Sequence, residues 1–199
     1  MKNKFKILNL LFCFVFFLHF SVNGSEQFIF DVTELEISEK GNILKGSKRG
    51  IISTNDGLTI VADNFEYNKI LNLLNASGKI EIKDAQKNLL IFADKITYFK
   101  NNEKIIGENN LRIINDEIMI EANKFEYYKV SNIINANQKV KIIDNQKDIL
   151  ILTDDLTYFR NKEKFLTKGK TEAIIQSKYN FKSNDVQFIK DKMILSSNN

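Results

Sequence analysis

The sequence predicts an all-β fold built from stacked repeats, on three observations. The chain repeats itself at an offset of 60 residues, each copy is itself double, and apolar side chains within a unit recur every second position and not every 3.6. Hydrophobic residues make up 43% of the 199 and charged residues 27%, the balance of a foldable chain and not of a disordered or multi-span membrane protein. There is no Pro and only eight Gly, so Asn, Asp and Gly must supply the turns.

The first 24 residues read as a secretory signal peptide. Lys2, Lys4 and Lys6 form a basic opening, Ile7 to Phe20 is an apolar run broken only by Asn9 and His19, and Val22-Asn23-Gly24 offers small residues for cleavage near Ser25. The run is shorter than the roughly 20 residues of a spanning helix. Residues 25–199 are then the mature β domain, exported to the periplasm.

Removing that segment narrows the chemistry. Cys13 and His19 leave with it, so the mature chain has neither a thiol nor an imidazole. Disulfides, Cys/His zinc sites and the usual nucleophiles and general base go too, and no metal or cofactor is expected. With three lysines removed, 26 basic side chains face 25 acidic ones, a net charge of +1. So balanced a chain lacks the field of a nucleic-acid binder.

The repeat carries the architecture. Ala62-Asp63-Asn64-Phe65-Glu66-Tyr67 returns as Ala122-Asn123-Lys124-Phe125-Glu126-Tyr127, and the match runs without a gap to Glu103-Lys104 and Glu163-Lys164, with about 22 of 43 positions identical. Within each copy, Ala93-Asp94-x-Ile96-x-Tyr98 and Thr153-Asp154-x-Leu156-x-Tyr158 restate the motif, which sets a unit near 30 residues. A fainter fifth copy lies at Ser183 to Phe188, and Phe30 to Ile37 is a degenerate opening one, as capping of a stacked array produces.

Lys79-Ile80-Glu81-Ile82-Lys83 alternates strictly, and β-branched residues abound, which predicts strands with one buried face. Asn68-Lys69, Ser77-Gly78, Asp84-Ala85-Gln86, Asn101-Asn102 and Asn109-Asn110 punctuate them as expected turns. A β-solenoid and a long sandwich or jelly roll remain open, whereas a propeller needs more and longer units than the chain supplies. In either, like residues fall in register along the axis: a core if the sheets close, an apolar groove if they splay.

The repeated Ala-Asp-x-φ-x-Tyr segment, the phrase Asn75 to Asp84, and the Tyr-Phe-Lys/Arg-Asn-x-Glu-Lys phrases at Tyr98 and Tyr158 resemble the OstA-like family. That family comprises the periplasmic lipopolysaccharide-transport proteins (LptA) and the soluble N-terminal domain of the outer-membrane lipopolysaccharide-assembly protein (LptD). The resemblance covers about Phe30 to Phe188, and Phe30 to Ile37 with Gly46 to Gly50 look most like the assembly protein's domain. Two departures stand against it: 199 residues leave no room for a membrane barrel beside these repeats, and the mature chain lacks the cysteines that tie that domain to its barrel. A stand-alone bridge and the front piece of a divided gene both stay open.

The resemblance implies an open-ended, twisted β-jellyroll whose groove holds lipid acyl chains, with no bond made or broken. It implies lipopolysaccharide (lipid A) as cargo, and as partners other transport proteins stacked by their edge strands and the outer-membrane translocon. It also assigns lipid contact to the motif tyrosines, here Tyr67, Tyr98, Tyr127 and Tyr158. Phe65, Ile96, Phe125 and Leu156, two residues earlier on the same strand face, extend that wall. The competing reading is a secreted β-repeat scaffold with a closed core, in which all eight are ordinary packing. A glycoside hydrolase using Asp63, Asp94 and Asp154 is disfavoured, because recurrence at the start of a strand is what turn-capping Asp residues do. Lys48-Arg49 and the scattered lysines read as solvated faces that protect strand edges.

Overall fold

A computed structural model describes residues 28–197, so the predicted signal peptide lies outside the described residues. They form fifteen strands in one antiparallel sheet: β1 (Ile29–Ser38), β2 (Ile43–Ser53), β3 (Leu58–Ala62), β4 (Asn64–Asn68), β5 (Leu73–Asp84), β6 (Leu89–Phe99), β7 (Lys104–Asn115), β8 (Ile118–Tyr128), β9 (Ile133–Asp144), β10 (Ile149–Phe159), β11 (Lys164–Lys168), β12 (Lys170–Ile175), β13 (Tyr179–Asn184), β14 (Val186–Ile189) and β15 (Ile194–Ser197). The chain runs as an antiparallel meander from β1 to β15, in which β3/β4, β11/β12 and β13/β14 are each one strand broken in the middle. The 60-residue repeat is visible in the bounds: β9 and β10 start and stop 60 residues after β5 and β6.

Every long strand bends at its middle, and the bends line up across the sheet. Register shifts fall at Val32/Glu34, Ser77/Ile80, Phe92/Lys95, Glu108/Leu111, Glu121/Lys124 and Thr153/Asp155. Two devices alternate. In β2, β5, β7 and β9 two successive residues take positive φ: Lys48-Arg49, Gly78-Lys79, Asn109-Asn110 and Gln138-Lys139. In the strands between them one residue is inserted, at Asp63, Asp94, Asn123 or Asp154, which moves burial from Leu89, Ile91 and Ala93 to Ile96 and Tyr98. A single extra residue reverses side-chain phase, so both halves keep their apolar face inward as the strand folds over.

The recurring aspartates therefore belong to the bend and not to strand starts. Arg49 donates to Asp63 at 3.0 Å, Asn110 to Asp94 at 2.5 Å, and the Gly169 amide to Asp185 at 2.8 Å. Ser77-Gly78 and Asn109-Asn110 likewise bend a continuous strand, where a turn was expected. Asn and Gly supply left-handed backbone, and only tertiary pairing decides whether that reverses a chain or creases it.

The crease divides the sheet into two facing leaves. One carries an isoleucine ladder in continuous register: Ile52, Ile60, Ile82, Ile91, Ile113, Ile120, Ile142 and Ile151. The other carries the aromatic motif. Both inner faces are buried and form one hydrophobic cluster.

Candidate functional site

The motif tyrosines lie in a single cross-strand row on the aromatic leaf. Successive register partners run Leu44, Tyr67, Leu74, Tyr98, Ile105, Tyr127, Ile134, Tyr158, Phe165, Phe188 and Leu195. At about 4.8 Å per strand the row is close to 50 Å long. Tyr158 stacks on Phe165 with ring centroids 4.1 Å apart, and Phe28 closes the other end edge-on to Tyr67 at 4.9 Å. Phe188, in the faint fifth copy, holds the tyrosine position.

The residues two positions earlier form a second row, one step nearer the crease. It alternates large with small: Gly46, Phe65, Ala76, Ile96, Gly107, Phe125, Ala136, Leu156. The small partners make room for the rings. A Cβ on Gly107 would sit 2.0 Å from Phe125 Cε1, inside the ring's own volume. All eight residues that the sequence marked as groove wall share this inner face, and all eight are buried, from 0% exposed at Tyr98, Phe125 and Tyr127 to 7% at Tyr67.

Opposite the crease, two rows of hairpin turns meet along a polar seam, the mouth of the fold. A cation stands two residues beyond each ring: Lys100, Lys129, Arg160 and Lys190 follow Tyr98, Tyr127, Tyr158 and Phe188, and all four are 6–9% exposed. Lysines expected as solvated faces are thus buried here, because the strand-end position after a core tyrosine points along the same inner face. Lys69, at the first unit, stays exposed.

Partners reach these cations both from the facing turns and from the neighbouring turn of the same row. Lys129 Nζ lies 2.5 Å from Asp56 and 3.1 Å from Glu103. Arg160 donates to Asn115 Oδ1 at 3.2 Å, to Asn132 Oδ1 at 2.5 Å and to the Lys87 carbonyl. Lys190 Nζ sits 3.3 Å from Asp144 Oδ2, an ion pair without a hydrogen bond, and Lys147 donates to the Lys190 carbonyl at 2.8 Å. Lys100 pairs within its own turn, to Glu103 at 2.5 Å.

The tyrosine hydroxyls join the same seam. Tyr98 donates to Glu103 at 2.5 Å, Tyr127 to Asp84 at 3.1 Å, Tyr158 to Asn115 at 3.2 Å, and Tyr67 to Asn72 at 2.7 Å. Burial raises the Tyr67, Tyr98 and Tyr127 phenols above their usual range, and Tyr158 to about 12. Burial also works to raise Asp56, but the Lys129 ammonium and the Thr54 hydroxyl outweigh it and hold the carboxyl at about 2. Glu103 stays below the usual range in the same way, burial being overcome by Lys100, Tyr98 and Lys129. Lys129 in turn is raised, its desolvation outweighed by Asp56 and Glu103.

The sequence reading missed this seam. Its signal was present as a cation two residues after each motif ring, and as Asp84 and Asp144 recurring 60 residues apart. Among the described residues no group of acidic side chains is arranged to hold a metal ion.

No protein-family model matches the chain, and no curated protein matches it in sequence. Among solved structures it matches the crystal structure of LptH, the LptA homologous periplasmic component of the conserved lipopolysaccharide transport device from Pseudomonas aeruginosa. The TM-score is 0.53 at 13% identity, over 59% of this chain and 94% of LptH. The fold is LptA-like. The described residues form an open-ended β-jellyroll of that kind, creased along one long edge and meeting at a mouth along the other.

Proposed function

We propose that this chain is a non-enzymatic lipid-bridge component that carries lipopolysaccharide across the periplasm toward the outer membrane. The observation that carries the reading is an LptA-like fold whose aromatic row runs unbroken from Leu44 on β2 to Leu195 on β15. One leaflet's hydrocarbon is about 15 Å deep, so a row near 50 Å accommodates acyl chains with length to spare for sliding. Apolar wall in contact with acyl chains is worth about 25 cal/mol per Å² removed from water. The eight buried residues, from Phe65 and Tyr67 to Leu156 and Tyr158, are the proposed wall.

Stacking on neighbouring transport proteins and on an outer-membrane translocon would use the end strands. Among the described residues β1 pairs only with β2, and the far end presents β13 and β15, each paired on one side. Such unpaired edges template strand addition.

Burial of the whole row favours a second reading, a scaffold with a permanently closed core. A photo-crosslinking residue at Tyr98 and at Tyr127, with Lys83 on the exposed outer face as control, separates the two in living cells. Lipopolysaccharide captured at both tyrosine positions and not at Lys83 supports the bridge. Folded, exported protein that captures none supports the scaffold.

A further inference from the structure

We infer that Arg160, flanked by Lys129 and Lys190, forms a phosphate-binding ladder at the mouth, taking the anionic headgroup of an amphiphile whose chains lie on the aromatic row. The inference rests on the bridge reading and assigns the headgroup end of that same site.

Three observations carry it. First, Arg160 is 8% exposed, and its side chain donates to the neutral oxygens of Asn115, Asn132 and Lys87 and reaches the Tyr127 hydroxyl, which itself donates to Asp84; among the described residues no carboxylate pairs with Arg160 directly. A buried guanidinium with no carboxylate in direct contact is a costly arrangement that a directly bound anion would relieve, and its planar fork matches phosphate in a bidentate pair. Second, each flanking lysine has a partner across the mouth: Lys129 pairs with Asp56, besides Glu103 on its own row of turns, and Lys190 pairs with Asp144 and Glu117. Parting the mouth would remove the cross-mouth partners, freeing Lys190 and leaving Lys129 with Glu103 alone. Third, each cation stands two residues beyond a row ring on the same face, and on every second strand, so the cations are spaced by about 10 Å. Ring then charge is the order in which an amphiphile presents chain then phosphate.

Stability alone does not account for the row, since buried ion pairs contribute little over apolar residues of equal volume. An exchangeable anion does account for it.

The test measures binding of the purified chain to a phosphorylated glycolipid, to the same glycolipid dephosphorylated, and to inorganic phosphate alone. The wild type is expected to prefer the phosphorylated form about tenfold, the scale of one charge-assisted contact. Arg160→Gln should reduce that preference to about twofold, Arg160→Lys should restore part of it, and Lys83→Gln on the outer face should leave it intact. Should Arg160→Gln fail to fold, Lys190→Gln carries the test, with an expected loss of about threefold. A preference that survives these changes, or none in the wild type, overturns the inference while the bridge reading stands. Binding of neither glycolipid overturns both. Inorganic phosphate that shifts the wild-type melting temperature but not that of Arg160→Gln, without a glycolipid preference, overturns the amphiphile assignment in favour of free phosphate.

Discussion

The two long edges of the molecule are both polar and both recur with the repeat, yet they are built in opposite ways. At the crease the polar residues are largely exposed and their work is done by the backbone: paired left-handed residues in one strand, an inserted Asp or Asn in the next. At the mouth the polar residues are buried and their work is done by charge, with Lys129, Arg160 and Lys190 meeting side chains and a carbonyl from the facing turns. The crease is covalent chain and cannot part. The mouth is held by non-covalent contacts that cost several kcal/mol to desolvate and return only part of it. Of the two edges, only the mouth could part without breaking the chain.

Breaking the crease should have the largest effect. Gly78 has φ +80, and a Cβ there would meet Asp63 Oδ2 at 2.5 Å and Asp63 Cβ at 2.8 Å. Gly78→Val is expected to cost about 3 kcal/mol, from the left-handed penalty and the forced contact together. Gln138 already occupies the equivalent position at φ +67 in the second repeat, so Gly78→Gln should cost less. Thermal or urea unfolding of the two variants checks the order.

Breaking the mouth should cost less and be reparable. Lys129→Ala leaves Asp56 and Glu103 without their shared cation and should destabilise by about 2 kcal/mol. Adding Asp56→Leu to Lys129→Met should bring stability back to within about 1 kcal/mol of the wild type, since apolar replacements of a buried pair are often neutral. A double variant as unstable as Lys129→Ala would mean that the seam is a stability device after all.

Acid titration sharpens the comparison with the smallest effect. Asp56 is held at about 2 against an ordinary 3.8, so its contribution is fully present above pH 4 and is lost as pH falls through about 2. Unfolding followed between pH 5 and pH 2 should show an excess loss of 1–2 kcal/mol, roughly, in the wild type over the apolar double variant. Identical pH profiles would separate Asp56 from the closure of the mouth.

Much of the fold was legible because period-two alternation and a gapless repeat both report on local geometry. The isoleucine ladder, the aromatic row and the fifth copy at Val186 and Phe188 follow from placing the copies in register. Asp63, Asp94 and Asp154 are visible as a repeated feature, but in sequence they read as strand starts, because a one-residue insertion looks there like any polar interruption of a strand. The buried lysines read in sequence as solvated for a similar reason: a lysine at a strand end carries no mark of which row of turns it will face.

The sequence by itself determined the strand class, the unit length and which side chains share a face, since alternation and repetition are properties of the chain and its immediate neighbours. Tertiary structure alone decided that the strands crease instead of turning, and that turns about 43 to 73 residues apart, such as those of Asp84 and Tyr127 or Asp56 and Lys129, meet across the mouth. Those contacts depend on how two leaves close over one another, and that closure is set by packing summed over the whole sheet, which no single unit contains.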